Sequence, residues 1–269
     1  MPTPNMGGSP PACFALNEGI HRFNTRLQES TMRPTDRIFV ALDMPDIAGA
    51  RTMAANLAGL VGGVKLGLEF FMAQGPEGIR AVVADAELPL FLDLKLHDIP
   101  NTVAGAVRSV APLAPLFLTV HASGGPTMLR AAADAAADEA AKLGVARMKI
   151  LAVTVLTSLG EDDLAAVGQQ GPAQDQVRRL AALAHASGVD GVVCSPAEVA
   201  ALRADLPADF TLMVPGIRPS WAAVGDQKRV MGPAQAVAAG ADRLVIGRPI
   251  TADADPRAAA RRIAEELGA

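Results

Sequence analysis

Apolar positions along this chain fall in short runs separated by amphipathic stretches of helix length. Ile38–Asp43, Gly63–Leu68, Leu116–His121, Met148–Val155, Gly191–Cys194, Phe210–Pro215 and Arg243–Ile246 read as buried strands, and Pro89–Leu92 opens another with a proline at its mouth. Between them the pattern predicts helices over Ile47–Leu60, from after Leu68 through Pro76 to Ala86, over Val103–Ala111, through an alanine-rich stretch to Leu143, over Val177–Ala186, from Ser195-Pro196 to Ala204, and from Pro256 onward. Strand and helix therefore alternate. Near-continuous apolar strands fit a parallel sheet covered on its outer face, and eight such units fit closure into a (β/α)8 TIM barrel over residues 36–269. An open doubly wound sheet is the alternative, but no GxGxxG turn follows the first strand. Residues 1–35 mix Pro, Gly, Asn and Thr without a sustained period and read as an N-terminal extension.

One strand breaks the pattern. In Phe91-Leu92-Asp93-Leu94-Lys95-Leu96-His97-Asp98-Ile99-Pro100-Asn101-Thr102, Asp93 and Lys95 are two residues apart, so on an extended strand they share one face, with Leu94 and Leu96 on the other. Asp98 follows, leaving a lysine between two carboxylates. Ile99-Pro100 then ends the extended run, and Asn101-Thr102 offers N-cap chemistry to the next helix. A structural ion pair is the plain reading of such neighbours. Burial at a strand end favours a functional one, because an ammonium held by carboxylates is suited to donating a proton to a basic carbon.

If the strands close into a barrel, Asp43, Lys65, Asp93, Lys95, His121, Thr157, Arg218 and Arg248 all lie at the C-terminal ends, the face where such barrels keep their sites. Arg218 stands in a stretch from Gly216 to Gly232 that is too long for an ordinary βα connection, together with Trp221, Gln227, Lys228 and Arg229. Gly247-Arg248 follows the last strand, and loops seven and eight are where barrels commonly hold phosphate.

Composition narrows the classes further. Half of the 269 residues are apolar, 19% are charged and the formal net charge is −4, which suits a packed globular domain and offers no basic surface for nucleic acid. Cys13 and Cys194 lie far apart, without metal-ligand or disulfide spacing, and no run is long and apolar enough to span a membrane. The first residues lack a basic start followed by a continuous apolar segment, so a cytoplasmic protein is expected.

Asp93-x-Lys95-x-x-Asp98-Ile99-x-x-Thr102 resembles the signature of the orotidine 5'-monophosphate decarboxylases. The resemblance covers about residues 36–267. It extends to Val64-Lys65-Leu66-Gly67, Leu156-Thr157-Ser158, Val214-Pro215-Gly216-Ile217-Arg218-Pro219, Gly225-Asp226-Gln227-Lys228-Arg229, and Gly240-Ala241-Asp242 through Val245-Ile246-Gly247-Arg248-Pro249-Ile250-Thr251. It implies decarboxylation of orotidine 5'-monophosphate to uridine 5'-monophosphate, the last step of de novo UMP synthesis, without metal or organic cofactor. It further implies catalytic roles for Lys95, Asp93, Lys65 and Asp98, with Lys95 as proton donor to C6. Substrate contacts are implied for Asp43, Lys65, Ile99, Thr102, Thr157, Ser158, Pro215, Arg218, Gln227, Gly247 and Arg248. The implied assembly is a homodimer in which Asp98 completes the neighbouring subunit's site. Two alternatives remain open at this point: a related Mg2+-dependent sugar-phosphate decarboxylase or aldolase that shares Asp-x-Lys-x-x-Asp, and an inert barrel that only binds nucleotides.

Overall fold

The computed structural model describes residues 32–84, 86–222 and 231–268. Its strands are β1 (Ile38–Ala41), β2 (Gly63–Gly67), β3 (Leu90–Leu96), β4 (Phe117–His121), β5 (Lys149–Val153), β6 (Gly191–Val193), β7 (Thr211–Val214) and β8 (Arg243–Ile246). They pair in parallel in chain order, and β8 returns to β1 to close the barrel. The α-helices are α1 (Ile47–Leu57), α2 (Leu68–Val83), α3 (Pro100–Val110), α4 (Gly125–Leu143), α5 (Glu161–Ala166), α6 (Ala173–Ala186), α7 (Val199–Asp205), α8 (Pro233–Ala238), α9 (Arg248–Thr251) and α10 (Pro256–Gly268).

The two-residue period of the strands sorts their side chains. Ile38, Val40 and Leu42, then Val64 and Leu66, Leu90 and Leu92, Leu118 and Val120, Ile150 and Ala152 point outward into the large core shared with the helices. Their alternates Phe39, Ala41, Phe91, Phe117, Leu151, Met213 and Val245 form a second, smaller cluster inside the barrel. Phe39, Phe91 and Phe117 meet edge to face at 5.4 to 6.3 Å between ring centroids and fill the lower interior. Gly63 makes room for them, since a Cβ there would lie 2.4 Å from Phe39 Cε1 and 2.5 Å from the Pro89 carbonyl. With the interior plugged by apolar side chains, polar residues at inward positions collect above it, at the C-terminal mouth.

Several expected boundaries shift. Helix α2 begins at Leu68, directly after β2, and runs through Pro76 as expected, but Gly75 at φ 61° kinks it just before that proline and it ends at Val83, short of Ala86. Helix α3 starts at Pro100 with Ile99 as its N-cap, in place of the cap expected from Asn101-Thr102. Proline is favoured at the first helical position because its missing N–H would be unpaired there in any case. The segment from Ser195 divides into a 3-10 turn over Pro196–Glu198 and α7. No helix among the described residues is long and apolar enough to cross a membrane.

Candidate active site

The C-terminal mouth holds a cavity of about 350 Å3, a volume that suits a mononucleotide. Asp43, Lys65, Asp93, Lys95, Thr157, Pro215, Arg218, Gly247 and Arg248 line it, with apolar walls from Ala41, Phe91, Val153, Val155, Val193 and Val245. Nine residues expected from the sequence thus converge on one space, drawn from β1, β2, β3, β7, β8 and the loop after β5.

Four of them form a line of alternating charge. Lys65 Nζ donates to Asp43 Oδ1 at 3.3 Å and lies 3.5 Å from Asp93 Oδ2, and Lys95 Nζ donates to that same Oδ2 at 2.8 Å. Asp93 is buried, with a residue exposure of 9%. Burial pushes its carboxyl pKa up, but the charges of Lys65 and Lys95 and hydrogen bonds from Lys95 and Thr119 outweigh it, so the net value falls below the ordinary carboxylate range. The site therefore carries an ionised carboxylate in its wall.

Lys95 does not sit on a regular strand. Its backbone is left-handed at φ 52°, a conformation that costs a non-glycine residue about 1–2 kcal/mol. The β3–β4 register is broken here: Leu92 pairs with Leu118 and Leu96 with Val120, so β3 carries two more residues than β4 across the same interval. Simple alternation therefore predicts the meeting of Asp93 and Lys95 but not its means, which is a bulge. The unpaired Lys95 N–H donates to Thr119 Oγ1 at 2.9 Å, and that hydroxyl donates to Asp93 Oδ1 at 2.9 Å. Thr119 was not among the residues expected from sequence. The available signal was a hydroxyl at an inward position of β4, recognisable only once β4 is known to lie beside β3.

Other expected residues stand apart. Asp98 is exposed, its Oδ1 accepts from the Ile99 N–H at 2.6 Å, and among the described residues it makes no ion pair with Lys95. Within one chain Lys95 thus lies beside a single carboxylate, that of Asp93. Ile99, at 67% exposure, and Thr102 are exposed and do not line the cavity. Ser158 is exposed and also outside the lining, one step beyond Thr157 on the chain leaving β5. Gln227 lies outside the described residues. His121, at the end of β4, stacks against His97 at 5.5 Å between centroids. Burial, His97 and Lys95 lower its pKa, against a smaller opposing effect of Asp93.

Two arginines add positive charge to the cavity wall. Arg218 is only 8% exposed and its Nη1 donates to the Ile217 carbonyl at 3.0 Å, while Arg248 opens α9 beside Gly247. The ends of the long loop are joined by a bridge between Ile217 and Met231, where the Arg218 N–H donates to the Met231 carbonyl at 3.0 Å. Arg262 of α10 lies 4.6 Å over the Trp221 ring and anchors the same segment. No group of three or more His, Cys, Asp or Glu side chains among the described residues is arranged to hold a metal ion.

A closed (β/α)8 barrel whose mouth cavity is lined by alternating lysines and aspartates together with arginines defines a barrel enzyme acting on a small anionic substrate. A model of the Orotidine 5'-phosphate decarboxylase / HUMPS family matches residues 36–263, and the chain belongs to that family. A protein of Rhodospirillum rubrum named orotidine 5'-phosphate decarboxylase is 58% identical over 230 residues, 86% of this chain and 93% of its own length. One of the same name from Thermobifida fusca is 56% identical over 230 residues, 86% of this chain and 95% of its own. Among solved structures, orotidine 5'-phosphate decarboxylase from Lactobacillus acidophilus superposes with a TM-score of 0.77 at 37% identity, covering 86% of this chain and 99% of that one.

Proposed function

We propose that this chain decarboxylates orotidine 5'-monophosphate to uridine 5'-monophosphate, a carboxy-lyase reaction of pyrimidine biosynthesis. The observation that carries the reading is the Asp43–Lys65–Asp93–Lys95 line sharing one cavity with Arg218 and Arg248. An arginine pair suits a phosphate, and an ionised carboxylate flanked by ammonium groups suits a carbon that loses CO2.

In this reading Arg218, Arg248 and the backbone at Gly247 hold the phosphate, Thr157 and Pro215 border the base, and Asp43 with Lys65 takes the ribose hydroxyls. Asp93 lies against the substrate carboxylate. Two like charges at close range disfavour the ground state, and the repulsion vanishes as neutral CO2 forms. The C6–carboxylate bond breaks heterolytically and leaves its electron pair on C6. Lys95 stabilises that charge and transfers a proton to C6, and solvent then reprotonates the amine. Remote binding energy at the phosphate is available to hold the reacting ring against the network.

Asp98, Ile99 and Thr102 complete the site of a second copy of the chain across a homodimer interface. Their exposure, with Leu68 and Met72 of α2 also exposed at 47% and 79%, supports this assembly. Purified protein should deplete orotidine 5'-monophosphate absorbance and release CO2 with a chelator present. Activity that requires Mg2+, or turnover of sugar phosphates alone, would assign the chain to the other chemistry of such barrels. Binding without turnover would make it a nucleotide-binding protein.

A further inference from the structure

We infer that Thr119 is a positioning residue for the reaction: its hydroxyl fixes the rotation of the Asp93 carboxylate and holds the bulged backbone that aims Lys95 into the cavity. The inference rests on the decarboxylase reading above.

Thr119 is fully buried, with 0% exposure, and is the one β4 residue between Leu118 and Val120, opposite the three bulged residues Asp93, Leu94 and Lys95. A bulge leaves strand groups without ladder partners, and a buried N–H without an acceptor is costly. The Thr119 hydroxyl supplies that acceptor to Lys95. A hydroxyl has one proton to give. Because the Lys95 N–H can only donate and an ionised carboxylate can only accept, the proton must go to Asp93 Oδ1. One hydroxyl thus occupies one carboxylate oxygen and turns the other, Oδ2, toward both ammonium groups. Without it, Asp93 is free to rotate and give one oxygen to each lysine. The Lys95 turn, already in a conformation unfavourable for a side chain, then loses the β4 acceptor of its N–H.

The test compares Thr119→Val, which keeps the shape and removes the hydroxyl, with Thr119→Ser, which keeps the hydroxyl. For Thr119→Val, kcat should fall about 10- to 100-fold, while KM and the Kd for uridine 5'-monophosphate stay within about threefold, because the loss is confined to alignment of the reacting groups. Its kcat profile should also lose activity at higher pH on the acid side, since Asp93 loses a donor that keeps it ionised. Thr119→Ser should stay within about threefold of wild type in kcat. Should the valine variant not fold, Thr119→Cys, with its weaker donor, should show a kcat loss of about tenfold at unchanged KM. Wild-type kcat in the folded valine or cysteine variant, or a serine variant as impaired as the valine one, overturns the inference. Failure of the wild-type protein itself to turn over the nucleotide would instead overturn the decarboxylase reading on which it rests.

Discussion

Asp93 is the residue on which the site's electrostatics depend. Burial acts to neutralise it, yet two lysines and a threonine keep it ionised, so its folded pKa lies below the ordinary value. A carboxyl shifted down adds stability that is complete above its unfolded pKa and is lost as pH falls through the folded one. The stability difference between wild type and Asp93→Asn should therefore narrow as pH is lowered from about 7 to about 3, as read by urea unfolding at each pH. A constant gap would mean that the pair with Lys95 and Lys65 adds nothing to folding. Lys95→Ala addresses chemistry instead. Turnover should vanish while uridine 5'-monophosphate affinity stays within about tenfold, since a group needed mainly in the transition state affects kcat more than ground-state binding. Residual turnover near wild type would remove Lys95 as the proton donor.

At the scale of elements, closure of the barrel depends on strands close enough to exclude side chains at certain points. Gly191 opens β6, and a Cβ there would lie 2.2 Å from the Thr211 carbonyl of β7, a backbone atom that cannot turn aside. Gly191→Ala should destabilise the fold by about 1–3 kcal/mol, measured by thermal or urea unfolding, because the strands must separate to admit the methyl. An unchanged midpoint would show that the β6–β7 seam yields freely. Strand β3 shows the opposite use of an element. Its outward residues keep the core period, while its end bulges to redirect Lys95. Helix α3 then starts immediately, with proline in its first turn, and leaves Asp98 exposed at the rim.

For the whole molecule, the outward placement of Asp98 makes the proposed shared site testable by subunit exchange. Lys95→Ala and Asp98→Ala homodimers should both be crippled. In a mixed dimer one site collects both lesions, and the other combines Lys95 from one chain with Asp98 from its partner and is intact. Random exchange makes half the dimers mixed, so about a quarter of wild-type activity should return under two-fold symmetry. No recovery after verified exchange would confine Asp98 to its own chain and sink the shared-site reading. Taken by itself, the sequence determined the barrel and most of the charged lining of the candidate cavity, because apolar runs of strand length and charges at their C-terminal ends are local patterns. Lys65, Asp93, Lys95, Arg218 and Arg248 were all legible in this way. Only the tertiary structure decided the register between β3 and β4, and with it the bulge, the left-handed Lys95 and the hydrogen bonds of Thr119. It likewise left Ile99 and Thr102 outside the lining of their own chain's cavity. Neither outcome was available to a periodic reading, since one extra turn of backbone changes where every following side chain points, and a hydrogen bond between neighbouring strands exists only once they are paired.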